Sequence, residues 1–339
     1  MRVDIDRLEF FMYRLLIGAG LNENNATNVA NVYRRATLRD VGHHDINDLP
    51  KRLKALHEES VKANPKMERT ENYQAMENYN GDNGLGELCA HFIMNRSKEL
   101  ANIYGISLCS VFNSNHFLSA QPYVEESAED GYLSIIYSST QPVMGWPNSK
   151  EKVIGNNPMG FGVTGKRSSI ILDISMAYFS VGGLLSAEES NKELPKYTAV
   201  NELGDYTSNP SEALRGGSLP IGKHKGFGLA ILGELLTSVL NGGTTIEEKS
   251  KMKELFGEHL HTQTIITIKQ DGFINQETYK ERVDQLQEFI KNKDRSIRLP
   301  GERSLSNKAR IEQNGILIKE DLKIELNHWA RIFNMQDRI

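Results

Sequence analysis

The run Gly160-Phe161-Gly162-Val163-Thr164-Gly165 spells G-x-G-x-x-G, yet the residues after it exclude the fold such a run usually announces. That spacing cradles a pyrophosphate only when it leaves a strand and opens a helix. Here Lys166-Arg167-Ser168-Ser169 and then the apolar Ile170-Ile171-Leu172 come next. The glycines therefore read as part of a hairpin that turns between Thr164 and Ser169. A doubly wound dinucleotide-binding sheet is set aside, and any nucleotide must be held by other means.

Apolar spacing around that hairpin changes twice along the chain. Ile5, Leu8, Phe11, Met12, Leu15 and Leu16 recur with a helical period over residues 5–19, which Gly18 and Gly20 end. A second helix reads over 22–37, with Ala26, Val29, Ala30 and Val32 facing inward, and a third over 48–61 with Pro50 in its first turn. Residues 64–80 are polar and read as a connection with short strands. A strong helix spans 87–104, stopped by Gly105. Strand patterns occupy 106–112, 132–137, 159–163 and 170–172, with a helix over 122–129 between the first two. Later come helices over 244–256, 279–291 and 321–333, and an alternating strand over 261–268. Helices first, mixed elements next and helices last predict an α+β fold. Residues 1–70 and 304–339 would share a helical domain, and 71–303 would form a mixed α/β domain.

The chain has 339 residues, 39% of them hydrophobic and 25% charged, which is enough apolar material for such an arrangement. A net charge of −4 leaves no electrostatic footprint for nucleic acid or an anionic membrane. No apolar run reaches membrane-spanning length, and acids stand in the first residues where a signal peptide would be basic and then apolar. Two cysteines, Cys89 and Cys109, are too few for a disulfide framework. A soluble, cytoplasmic protein is expected.

Five polar runs invite chemistry. Pro220-Ile221-Gly222-Lys223-His224-Lys225-Gly226-Phe227-Gly228 precedes a long apolar run, so it reads as a helix start. It is either a cradle for phosphate or carboxylate or a helix start with solvated lysines. It lacks the Walker A pattern, and no magnesium-binding signature accompanies it, so a triphosphate site is not expected. His43-His44-Asp45 lies in a loop, where histidines are commonly solvated, and no third ligand stands at helical spacing beyond it to make a metal site. Asn113-Ser114-Asn115-His116-Phe117 ends a strand, where His116 can exchange a proton or satisfy a buried carbonyl. Gly155-Asn156-Asn157-Pro158 is a turn. Asp173 closes an apolar strand and can bind a ribose hydroxyl, orient a histidine or cap the next helix.

In this order the runs resemble the malate/L-lactate dehydrogenase family that lacks the Rossmann fold. Ureidoglycolate dehydrogenase and 2,3-diketo-L-gulonate reductase are members. The matching pieces are 42–53, 113–117, 155–158, 172–175, 219–229 and 299–302, so the resemblance covers nearly the whole chain. Residues 176–182 and 297–302 look most like the diketogulonate reductase branch. The resemblance implies a homodimer that uses NAD or NADP, with NADH favoured, to transfer hydride between nicotinamide and a small 2-oxo or 2-hydroxy acid. It carries the proton donor on to His44 and a second acid/base on to His116. It carries cofactor contacts on to Thr140, Asp173, Ile174, Ser175, His224, Lys225, Gly301, Glu302 and Arg303.

One departure concerns the substrate. Where the family reads Ser-His-Gly and then an arginine that pairs with the substrate carboxylate, this chain has His43, His44, Asp45 and Asp48. An acid in that place repels a carboxylate, so His43, Asp48 and Arg52 become the candidate substrate residues, with Arg52 or Lys51 able to supply the cation one helical turn on. Thr140 keeps the hydroxyl of the ureidoglycolate branch's serine. The departure also motivates a rival expectation, a nucleotide-binding family member with altered or lost catalysis.

Overall fold

The computed structural model describes residues 2–40, 42, 44–252 and 261–339. A short strand β1 (Arg2–Val3) leads into helices α1 (Ile5–Gly18) and α2 (Glu23–Arg39). Each helix starts where a short side chain satisfies its first free amides. Asp4 accepts from the amides of Asp6 and Arg7 at 3.0 and 3.1 Å, and Asn22 accepts from Asn25 at 2.9 Å. A 3-10 turn (Ile46–Asp48) runs directly into α3 (Leu49–His57), which ends before the residue 61 anticipated from sequence.

The polar stretch after α3 carries strands, as expected, β2 (Glu68–Tyr73) and β3 (Met76–Gly84), and β3 joins the main sheet. Then come α4 (Gly86–Tyr104), β4 (Ile106–Ser114), α5 (Gln121–Glu129) and β5 (Tyr132–Ser138). Two short strands, β6 (Pro142–Met144) and β7 (Ile154–Gly155), precede the hairpin β8 (Met159–Thr164) and β9 (Ser169–Ile174). The hairpin confirms that the G-x-G-x-x-G run opens no helix. Its first two glycines serve packing instead, since a Cβ at Gly160 would lie 2.6 Å from the Ala120 methyl, and one at Gly162 would lie 2.3 Å from the Val124 carbonyl. They let α5 lie close on the sheet.

Beyond the hairpin lie α6 (Val181–Glu189), β10 (Ala199–Val200), β11 (Tyr206–Thr207), α7 (Pro210–Gly216) and β12 (Gly217–Ser218). Next, α8 (His224–Glu234) continues into a π-helical turn (Leu235–Val239). The helix expected over 244–256 is only α9 (Ile246–Ser250), and residues 253–256 of that expectation lie outside the described residues. The chain ends with β13 (His261–Lys269), α10 (Gln276–Lys293), α11 (Glu302–Asn314), β14 (Ile316–Leu317) and α12 (Glu320–Ile332).

Seven strands form the main sheet in the order β2-β3-β4-β13-β5-β8-β9, antiparallel except for the β3–β4 pair. Along β13, Ile265 packs into the apolar core while Thr264, on the opposite face, donates to the Leu236 carbonyl at 2.9 Å. Period-two alternation thus sends one face to the core and the other to the π-helical turn. The main core joins α1, α2, α3, α4, α5 and α12 to the central strands through Leu8, Leu15, Tyr33, Ile93, Val111, Ile136, Ile265 and Leu326. A smaller sheet has the order β11-β10-β12-β6-β7.

Candidate active site

A cavity of about 410 Å³ opens where β4, β5 and β9 end and where α5 and α11 begin. It is lined by His44, His116, Thr140, Asp173, Ile174, Ser175, Gly301 and Arg303, eight residues marked out in the sequence. They come from segments more than 250 positions apart, so only the fold assembles them.

At one end stand the two histidines, with ring centroids 4.9 Å apart. His44 sits on the loop before the 3-10 turn with a left-handed φ of 56°, a costly conformation for a residue with a Cβ. Its Nδ1 lies 3.2 Å from Asp48 Oδ2. Arg52, one turn further along, is 3% exposed and committed to its neighbours. Its Nε donates to Glu87 Oε1 at 2.9 Å, its Nη2 donates to His116 Nδ1 at 3.0 Å, and its Nη1 lies 3.6 Å from Asp48. Tyr33 donates to the same Glu87 oxygen at 3.1 Å. Burial acts to raise the Asp48 carboxyl, but the His44 hydrogen bond and the Arg52 charge outweigh it and hold Asp48 well below 3.8. Burial pushes His116 well below 6.5, and the nearby His44 and Arg52 add to that.

His261, from β13, completes this end. Its ring meets His116 edge-on at 5.6 Å, and its Nδ1 donates to the Ser139 carbonyl at 2.9 Å. Burial and the Lys249 cation lower it to about 4. The turn carrying His116 is held tightly. Asn115 Nδ2 donates to Asn83 Oδ1 and the Gly84 carbonyl, both at 2.9 Å, and Gln263 donates to the Asn115 carbonyl at 3.0 Å. Gly86 allows α4 to start against this turn, since a Cβ there would lie 2.2 Å from the Asn115 carbonyl.

The other end carries a line of neutral groups. Thr140 Oγ1 donates to Asn156 Oδ1 at 2.8 Å, and Asn156 Nδ2 donates to Ser175 Oγ at 3.0 Å. Asn157 locks this line to α8, accepting from the Thr140 amide at 3.0 Å and donating to the Ala230 carbonyl at 2.9 Å. Asp173 does cap a helix, though the preceding one in the chain: its Oδ2 accepts from the Gln121 amide at 3.0 Å, at the start of α5. Enclosure by protein raises its carboxyl above 3.8, with the Gln121 bond pulling the other way. Gly301 has φ 82°, and a Cβ there would lie 2.7 Å from the Ile171 carbonyl. Arg303 is exposed to the cavity and has no ion pair among the described residues.

Three expected cofactor residues do not line the cavity. His224 and Lys225 are exposed at the start of α8. The cradle imagined there is largely closed, because the amides of Lys225, Gly226 and Phe227 donate to the carbonyls of Gly222, Ile221 and Lys223. Its backbone still lies beside the site, with the Ile221 amide donating to the Met176 carbonyl at 2.9 Å. Glu302 faces away, pairing with Lys291 at 2.6 Å and accepting from the Leu299 amide at 2.9 Å. Of the candidate substrate residues, Asp48 and Arg52 are engaged behind the histidines, and His43 lies outside the described residues.

Sequence reasoning missed Arg39, Gln121, Ser180 and Ser304 on the cavity wall, read Asn156 only as part of a turn, and missed His261 and Glu87 behind the wall. Arg39 is 1% exposed, pairs with Glu125 at 2.6 Å and reaches Ser304 at 3.3 Å. A usable signal existed: Arg39 falls three positions after Ala36, on the buried stripe of α2, where a charge needs a partner.

Comparison with known proteins bears on the family and the fold. The family model for malate/L-lactate dehydrogenase matches residues 3–327. A 2,3-diketo-L-gulonate reductase of Citrobacter koseri is 28% identical over 338 residues, covering 98% of this chain and 99% of that protein. The solved sulfolactate dehydrogenase of Methanocaldococcus jannaschii superposes with a TM-score of 0.90 at 27% identity, covering 99% of this chain and 98% of that one. A malate dehydrogenase from Entamoeba histolytica gives a TM-score of 0.92, with 100% and 99% of the two chains covered, and at 22% identity it speaks for the fold alone. With its model spanning nearly the whole sequence, the chain belongs to the malate/L-lactate dehydrogenase family of dehydrogenases and reductases.

Proposed function

We propose that the protein is an NAD(P)H-dependent oxidoreductase that interconverts a small 2-oxo acid and its 2-hydroxy acid, with 2,3-diketo-L-gulonate, malate and lactate as the model substrates. The observation that carries this reading is the meeting, in one cavity, of a paired-imidazole end with a neutral hydroxyl-and-amide end. Bound nicotinamide would supply the hydride. The residues present suit such a cofactor: Thr140, Asn156 and Ser175 offer neutral donors and acceptors for ribose and carboxamide, and Gly301, packed against Ile171, presents its backbone on the cavity wall. Arg303 brings an open guanidinium for an anionic group, either a phosphate or the substrate carboxylate.

As a carbonyl is reduced, negative charge builds on its oxygen. His44 supplies the proton there, while Asp48 at Nδ1 holds the ring in place. Such proton transfer typically contributes ~10²–10⁴ in rate. Arg52 supports the histidines from behind and is not the carboxylate clamp.

The same reading includes a homodimer. Leu229, Ile231, Leu232, Leu235 and Val239 are all exposed along α8 and the π-helical turn, an apolar row suited to a second copy of this chain. Light scattering should give twice the chain mass. No helix among the described residues is long and apolar enough to cross a membrane, and with both cysteines free a cytoplasmic home is the reading. Titration with NADH and then a screen of 2-oxo acids for loss of nicotinamide absorbance tests the function. NADH binding without turnover on pyruvate, oxaloacetate, diketogulonate and cyclic imino acids would favour a member that has lost the reaction. No binding of either nicotinamide would overturn the proposal.

A further inference from the structure

His116 is held by its Nδ1 edge. Two groups point at that one nitrogen: the Leu118 amide at 3.1 Å and Arg52 Nη2 at 3.0 Å. Both can only donate, so Nδ1 must present its lone pair and carry no hydrogen. A neutral ring then bears its hydrogen on Nε2, and an imidazolium would set an N–H against two other donors. Among the described residues Nε2 has no hydrogen-bond partner, and the ring lines the cavity.

We propose that His116 is a permanently neutral imidazole whose Nε2–H donates a hydrogen bond to the reacting oxygen of the substrate, and that His44 alone exchanges a proton with that oxygen. This rests on the oxidoreductase reading above for its substrate, but the state of the ring does not. The charged and titratable groups around the ring agree. Arg52 faces it from α3, itself bound to Glu87 of α4. His44 and Asp48 face it from the loop and the 3-10 turn, and His261 faces it from β13. A second positive charge beside the Arg52 guanidinium would meet repulsion in a poorly hydrated place, with only the Asp48 carboxylate to offset it.

The division of labour comes from charge. In the reduction, the π electrons of the carbonyl move to oxygen as the carbon gains hydrogen from the reduced nicotinamide. Oxygen takes its proton from His44, which is left neutral, and the His116 N–H bond neither breaks nor forms. A neutral donor fixed in place stabilises the developing charge without a proton to lose.

Long-range ¹⁵N spectra of the histidine side chains in the full chain, recorded from pH 5 to pH 9 without cofactor, test the ring directly. His116→Gln assigns the signal, and His116→Phe serves if that variant does not fold. The expected result is an unprotonated Nδ1 and a protonated Nε2 that do not change across the range. A protonated Nδ1, or a midpoint between pH 5 and pH 8, would overturn the proposal even if the enzyme is active. The kinetic arm separates the roles. His116→Gln, which keeps an N–H donor, should lower kcat by about tenfold and leave the pH midpoints in place, while His116→Phe should lose ~10²–10³. Loss of a pH limb in His116→Gln would make His116 the proton carrier and refute the assignment. Failure of every 2-oxo acid to react would sink the oxidoreductase reading while the spectra still decide the state of the ring.

Discussion

At one end of the cavity Asp48, Arg52, Glu87 and three imidazoles crowd within hydrogen-bonding and ring-contact distance. At the other, Thr140, Asn156 and Ser175 make a line of neutral groups. The charged end is built on burial: Glu87 is fully buried and Arg52 almost so, and each is tolerable only because the other is there. The Thr140–Asn156–Ser175 line carries no such dependence, since losing one of its hydrogen bonds uncovers no charge. Position and protonation are therefore set by a costly buried network at one end and by cheap local bonds at the other.

The contrast can be broken most severely at His44. His44→Ala should lower turnover by ~10²–10⁴ while NADH affinity, measured by fluorescence titration, stays close to that of the parent. Full activity in that variant would remove His44 from the chemistry. Next comes Arg52→Met, which leaves Glu87 buried without its cation and should cost about 3–5 kcal/mol of stability in urea denaturation. Adding Glu87→Met should recover a large part of that loss. A double variant no more stable than the single would show that the pair is not what holds this end.

The third effect is a pH dependence confined to the charged end. His261 is held at about 4 when folded against 6.5 for the free side chain, so the unfolded chain binds a proton that the folded chain refuses. Its contribution to stability is present above pH 6.5 and is lost as pH falls towards about 4. His116 acts with the same sign. Asp48, held below 3.8, contributes above that pH and loses its contribution as acid protonates it. His261→Gln should flatten the stability curve between pH 6.5 and pH 4, read from urea midpoints at stepped pH. An unaltered slope would discard this origin. Smallest is Thr140→Ala, expected to weaken NADH binding by about 1 kcal/mol, roughly fivefold, with kcat little changed. Thr140→Ser should bind as the parent does.

Much of the fold was legible because it is written in local spacing. α1, α2 and α4 and the strands β4, β5 and β13 carry clear periods, and glycine or Asn/Asp residues mark their ends. The illegible parts lack such a pattern. α11 has one buried apolar residue, Ile311, α6 contains Gly182 and Gly183, and β6, β7, β10, β11 and β12 are too short to alternate. The helix anticipated over 244–256 shrank because only Thr245, with its capping box, sets a boundary.

For the site, the order of the runs carried a resemblance to the family, and that resemblance marked out His44, His116, Thr140, Asp173, Ser175 and Arg303. Tertiary structure alone decided what each of them faces. It put Arg52 under His116 instead of opposite a substrate carboxylate, turned Glu302 towards Lys291, and closed the amides at the start of α8 on their own turn. The physical reason is that protonation state and charge availability depend on partners within a few ångströms. Those partners, Glu87 for Arg52 and Leu118 with Arg52 for His116, come together only when helix, strand and loop pack.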